Sequence, residues 1–159
     1  MPVFREEQYI RRHLFVLLLI GVSLGGVFLV ARHRQAGGSL GLFFDLTMGL
    51  SVVFTVLLVV WFLKARLVTE VREDRVFIHF EWLWRPKEIT FDEIASVETF
   101  TYRPIRDYGG WGVRRGKGEY MWNAYGNRAV RFRFRNGVSF ALGSQEPEKL
   151  VAAVQPYLS

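Results

Sequence analysis

Two long apolar runs dominate the chain before Arg66. Residues 14–31 hold eighteen positions without a charge, with Arg11, Arg12 and His13 before them and Arg32, His33 and Arg34 after. Residues 42–63 form a second run whose one charge is Asp45. At 1.5 Å per helical residue the first run measures about 27 Å, close to the hydrocarbon thickness of a bilayer. The pattern predicts transmembrane helices at 14–31 and 42–63, preceded by a cytoplasmic segment at 1–13. The connecting loop, 32–41, is short and glycine-containing, which makes the pair a helical hairpin. A cleaved signal peptide fits less well, because Glu6 and Glu7 interrupt the basic leader and no small-x-small site closes the first run.

Beyond residue 66 the period changes from helical to alternating. Residues 67–72 and 76–82 read as a strand pair turned by Glu73-Asp74, and Pro86 ends it. Residues 87–90 start another strand, 91–94 make one helical turn, and 95–102 form a strand closed by Pro104. Runs at 109–115, 119–125, 129–135 and 138–142 follow, with Asn136-Gly137 as a two-residue hairpin signal. The C-terminal stretch is helical in pattern. Ser144 is placed to cap it, Pro147 suits its first turn, and Leu150, Val151, Val154 and Leu158 share a face. The expected fold is therefore a transmembrane hairpin followed by a mostly-β, partly open barrel of about seven strands at 67–158, capped by a C-terminal α-helix.

Charge sharpens this picture. The chain carries 21 Lys and Arg against 15 Asp and Glu, and residues 66–159 hold 15 against 12. The excess is shared between the polar domain and the flanks of the apolar runs, so nucleic acid is not an expected partner. Arg5, Arg11 and Arg12 on one side, with Lys64, Arg66 and Arg72 on the other, outnumber Arg32 and Arg34 in the loop. That asymmetry places both termini in the cytoplasm. Within the hairpin, Gly21 and Gly25 form a GxxxG, and Gly41, Asp45 and Gly49 share one helix face, so these positions are expected to pack helix against helix.

Catalytic chemistry is absent from the pattern. There is no cysteine, which removes thiolate catalysis and cysteine–metal sites. His13, His33 and His79 are scattered without ligand spacing, and no Ser–His–acid set can be assembled. Gly109, Gly110 and Gly112 match neither a P-loop nor a dinucleotide fingerprint. No enzyme activity, cofactor or metal is expected. Two basic features are candidate binding surfaces. Trp111, Arg114, Arg115 and Lys117 cluster in a glycine-rich hairpin, and Arg131, Arg133 and Arg135 alternate with aromatic residues and so leave a strand on one face.

The segments 110–114, 120–127 and 142–150, with Phe91-Asp92-Glu93-Ile94 before a strand, resemble the bacterial pleckstrin-homology-like (PH-like) domains of small membrane-anchored proteins. The resemblance covers residues 67–158 and implies a binding or scaffolding module in the bacterial plasma membrane. Such a module would sit in the lipid bilayer and engage a membrane-protein partner or its own copies as a homo-oligomer. An anionic-lipid sensor using Trp111, Arg114, Arg115 and Lys117 is the alternative, and a small transport or channel subunit built on Asp45 is a second. Glu73 and Asp74 offset Arg72 and Arg75 in the first hairpin, which argues against phosphoinositide binding.

Overall fold

The computed structural model describes residues 2–9, 13–35, 37, 41–116 and 118–158, with the side chains of 13–16, 18, 42, 43, 45 and 62 outside that description. The chain divides into two compact units. One comprises Met1–Arg11 together with Ala65–Ser159, and the other is Arg12–Lys64.

Among the described residues the first unit has nine strands in two sheets. Strands β1 (Phe4–Tyr9), β2 (Arg66–Val71), β3 (Arg75–Glu81) and β4 (Lys87–Thr90) form an antiparallel sheet in chain order. The second sheet takes β5 (Ile94–Thr101), β6 (Gly112–Gly116), β7 (Glu119–Asn123), β8 (Arg128–Phe134) and β9 (Ser139–Gly143) in the order β5-β8-β9-β7-β6. Its β7–β9 pair is parallel and the others are antiparallel. A 3-10 turn, Phe91–Glu93, carries the chain from β4 into β5.

Alternation explains the core. Val76, Ile78 and Phe80 leave β3 on one face, while Val130 and Phe132 on β8 and Phe140 and Leu142 on β9 leave the other sheet toward them. Helix α4, Pro147–Val154, adds Leu150 and Val154 to the same cluster. Tyr157 then stacks on Phe91 at 4.5 Å between centroids. A second, smaller cluster of Tyr102, Tyr108, Met121, Ala129 and Ala141 lies apart from the main core.

The second unit consists of α1 (His13–Gln35) and α2 (Gly41–Lys64), the α labels running in chain order. Both apolar runs are thus helical, but the transmembrane hairpin expected at 14–31 and 42–63 is corrected. Among the described residues no helix is long and apolar enough to cross a membrane. α1 carries Gly21, Ser23, Gly25 and Gly26 ahead of Arg32, His33 and Arg34 in its last turn. α2 carries Thr47, Ser51 and Thr55 within its apolar run. Small and polar positions of this kind lower the apolar content that a span needs. The multi-pass placement in a bacterial plasma membrane is corrected with it. Large apolar side chains such as Val22, Phe28, Leu50 and Phe54 are nevertheless exposed on these helices.

The expected single barrel of about seven strands is also corrected. Two sheets of four and five strands are present, and β4 and β5 are joined by the 3-10 turn rather than paired. One of these strands, β1, comes from the segment 1–13, outside the stretch expected to form the barrel. Its inward positions are Phe4, which packs against the main core, and the polar Glu6 and Gln8, which bond across the unit with Gln8 Oε1 left without a partner among the described residues. The Glu6 carboxylate accepts the Ser144 hydroxyl at 2.6 Å and the Gln145 N–H at 2.6 Å, and Gln8 Nε2 donates to the Gly143 carbonyl at 2.7 Å. Ser144 Oγ in turn accepts the Glu146 N–H at 3.0 Å, so it supports the start of α4 although Glu146 holds the cap position.

Burial raises the Glu6 carboxyl above its ordinary range, against the opposing pull of Ser144 and Gln145. The folded state therefore holds this proton more tightly than the unfolded chain. The stability from this group is fully present below the usual glutamate value of about 4.3 and is lost as pH rises through the raised value. Glu6→Gln removes that titration. Chemical unfolding measured from acid to neutral pH should show the variant gaining stability relative to the parent chain as pH rises. Parallel profiles for the two would contradict the assignment.

Candidate functional site

Between β5 and β6 the chain Arg103-Pro104-Ile105-Arg106-Asp107-Tyr108-Gly109 makes one helical turn, α3 (Pro104–Tyr108). Proline suits the first helical position because its missing N–H has no acceptor there. The Arg103 N–H donates to Asp107 Oδ2 at 2.8 Å. Gly109 closes the turn at φ 73°. Glycine adopts that left-handed conformation without steric cost. Its N–H donates to the Ile105 carbonyl at 2.9 Å. The turn lies tight on β6. A Cβ built at Gly116 would stand 2.4 Å from the Asp107 carbonyl oxygen, so no side chain fits there.

This turn walls an open groove of about 530 Å³ lined by Arg103, Ile105, Arg106, Trp111, Tyr125 and Asn127. Trp111 is fixed by its Nε1–H, which donates to the Gly126 carbonyl at 3.2 Å, and stands half-buried in the wall. Ile105 is 72% exposed and Tyr125 46%. Neither the Arg103 nor the Arg106 guanidinium has a carboxylate partner among the described residues, and Asp107 in the same turn accepts the Arg103 backbone N–H instead. The groove thus offers an aromatic and aliphatic floor with two guanidinium groups at its edge, a combination suited to an anionic segment that also has apolar surface.

The sequence-predicted candidates are distributed differently. Trp111 enters this groove, and Arg114 stays beside it by donating Nε–H to the Trp111 carbonyl at 2.9 Å. Arg115 leaves β6 on the opposite face, with its guanidinium 5.5 Å from the Tyr120 ring centroid. Lys117 lies outside the described residues. Sequence reasoning missed Arg103, Ile105, Arg106 and Tyr125. The signal for α3 was Pro104 with Gly109 five residues on, too short for any periodicity.

Arg131 and Arg133 leave β8 on one face, where carboxylates occupy both, whereas Arg135 lies in the turn beyond the strand. Arg131 holds buried Glu119 through Nε and Nη2, each at 3.0 Å, and reaches Glu98 at 3.0 Å. Its guanidinium also lies 4.1 Å from the Phe100 ring centroid. Tyr108 donates its hydroxyl to Glu119 at 2.7 Å, and burial and this carboxylate push its own ionisation well above the ordinary tyrosine range. Glu98 is held below the usual carboxylate range by Arg133 first and Arg131 second. Arg135 donates to the Asp92 carbonyl at 2.8 Å. Arg131 is therefore a structural centre that ties β5, β7, β8 and α3 together.

In the helical unit a Cβ at Gly26 would stand 3.5 Å from Met48 Cε, whereas one at Gly21, Gly25, Gly41 or Gly49 would meet nothing within 4 Å among the described residues. Gly49 lines a groove between the helices with Val27, Val30, Ala31, Met48 and Val52. The Asp45 side chain lies outside the described residues. Among the described residues no three His, Asp or Glu side chains are placed to hold a metal ion.

The Glu119 side chain is 5% exposed, and Arg131→Ala strands it. Losing one partner of a buried pair should cost about 3 kcal/mol in denaturant unfolding. The Arg133 side chain is 52% exposed. Arg133→Ala should therefore cost under about 1 kcal/mol. Equal losses would contradict the structural division between the two arginines. No protein-family model matches the chain, and no curated protein matches it.

Proposed function

We propose that the chain is a non-enzymatic binding module that holds an acidic segment of a protein partner in the groove beside α3. The observation that carries this reading is the pair Arg103 and Arg106, which stand without carboxylate partners among the described residues at the rim of a floor made by Trp111, Tyr125 and Ile105. Elsewhere in the β unit the arginines are largely absorbed by neighbouring acids. Arg66 is held by Glu7 and Glu81, Arg75 by Asp74 and Glu88, and Arg128 by Glu148. A cation left unneutralised beside exposed aromatic surface is available to an incoming carboxylate, and Trp, Tyr and Arg are the residues that most often dominate binding energy. The resemblance of the sequence to bacterial PH-like domains supports binding over catalysis as well.

The groove is open and shallow enough to admit a side chain with the backbone that bears it. Electrostatic attraction would speed the encounter, and burial of the partner's apolar side chain on Trp111 would slow its release. The expected affinity therefore depends on salt through the arginines and on the floor through Trp111.

The test is calorimetry of the full chain with a short peptide bearing a central phenylalanine flanked by glutamates, against its glutamine counterpart. The glutamate peptide should bind more tightly, and Arg103→Gln with Arg106→Gln should weaken it about tenfold or more while leaving the thermal transition in place. Equal binding of the two peptides, or indifference to both substitutions, would refute the proposal.

A further inference from the structure

A second opening, distinct from the α3 groove, lies where the inner face of the five-stranded sheet runs out from under the other sheet. The cleft measures about 330 Å³. That volume falls within the size range of small-ligand sites. Its floor includes Tyr120 and Phe140, and Arg115 stands beside Tyr120 at the end of the same cross-strand row, outside the lining itself. Arg115 on β6 pairs with Tyr120 on β7, and Tyr120 pairs with Phe140 on β9, so all three leave the sheet on the same face. Trp122, next on that face of β7, crosses Phe140 edge to face at 5.8 Å and leads into the core. The β3–β4 turn overhangs from the other sheet, bringing Trp84 and Lys87 to the rim.

Three features separate this cleft from an ordinary gap at the end of a core. First, rings that point inward are left open to solvent. Tyr120 is 51% exposed although it belongs to the inner face, and Trp84 is 58% exposed above it. Second, two cations stand over neighbouring rings of the row. Lys87 Nζ lies 5.3 Å from the Phe140 centroid and the Arg115 guanidinium 5.5 Å from that of Tyr120. Neither has a carboxylate partner among the described residues, and no acidic side chain lines the cleft. Third, the turn that overhangs the cleft is strained. Trp82 has φ 66°, the one positive value at a non-glycine position among the described residues. Backbone strain of this kind concentrates at sites where a ligand is held.

From these features we infer that the cleft binds a small organic anion with a planar apolar body, of the aryl carboxylate class. The ring system lies on the Tyr120–Phe140 row beneath Trp84. The carboxylate meets Lys87 and Arg115, which exchange a ring face for a full negative charge. Apolar burial supplies the affinity, and the two cations supply the preference for an acid over a neutral compound of the same shape. This site shares no residue with the groove beside α3 and stands whether or not that groove takes a peptide.

The experiment is calorimetric titration of the full chain with 2-naphthoate and, separately, with its neutral alcohol analogue, 2-naphthylmethanol. The naphthoate should bind more tightly than the alcohol. Lys87→Gln combined with Arg115→Gln should weaken the naphthoate about tenfold and leave the alcohol unchanged, because a charge-assisted contact is lost and the aromatic floor is not. Tyr120→Ala should weaken both. The inference is overturned if acid and alcohol bind alike, if the double variant retains the parent affinity, or if neither compound binds at millimolar concentration. It is also overturned if Arg103→Gln, rather than the Lys87 and Arg115 changes, lowers naphthoate affinity, since the ligand would then occupy the α3 groove.

Discussion

The pairing of β1 with β2 is the constraint on which the β unit depends. Tyr9 at the end of β1 faces Arg66 at the start of β2, so the chain leaves the sheet and returns to it at one point with both helices in between. Closing a loop of that length costs entropy, but only as the logarithm of its length. A ladder along the whole of β1, with its side chains, offsets that cost. The side-chain contribution is polar. Glu6 and Gln8 reach the β9–α4 junction and satisfy Ser144, Gln145 and Gly143, so the N-terminal strand holds the far end of the fold in place. Without β1 the Gln145 N–H and the Gly143 carbonyl would lose the partners it supplies.

The unit's charges are closely matched. Acidic side chains meet nearby arginines along the outer faces, and Glu119 is buried because Arg131 and Tyr108 both donate to it. Such matching consumes the acids and leaves a few cations unneutralised. Arg103 and Arg106 stand at one groove, and Lys87 and Arg115 at another, each beside aromatic surface. A positive charge kept next to an exposed ring is inexpensive in water and strongly attractive to an anion that brings its own apolar surface. Both proposed binding sites thus lie where the ion-pair network leaves cations over.

Much of the β unit was legible because its strands alternate. The hairpin at Asn136-Gly137, the strands on either side of Glu73-Asp74 and the helix opening at Pro147 follow from residues that leave little choice of conformation. Strand β1 was not legible, since Glu6 and Gln8 occupy the inward positions and their partners lie more than a hundred residues away. Helix α3 was hidden by its length. The apolar runs did indicate helices, yet hydropathy read over 14–31 and 42–63 overstated them as membrane spans. Of the candidate site, Trp111 was found from its neighbours in sequence. The ion pairs of Arg131 were not legible, because alternation reveals the face an arginine takes and not the carboxylate waiting on the adjacent strand. The groove itself joins the β7–β8 connection to α3, a juxtaposition that no local pattern carries.

The most direct measurement is site-specific crosslinking from the floor of the α3 groove. A photoreactive amino acid placed at the exposed position of Ile105, in the full chain exposed to an equimolar mixture of acidic, neutral and basic peptides of matched aromatic content, reports what the groove selects. The adducts should be predominantly acidic peptides, and they should disappear when Arg103 and Arg106 are replaced by glutamine. Adducts distributed evenly across the mixture, or unchanged by those replacements, would contradict a groove that selects acidic segments.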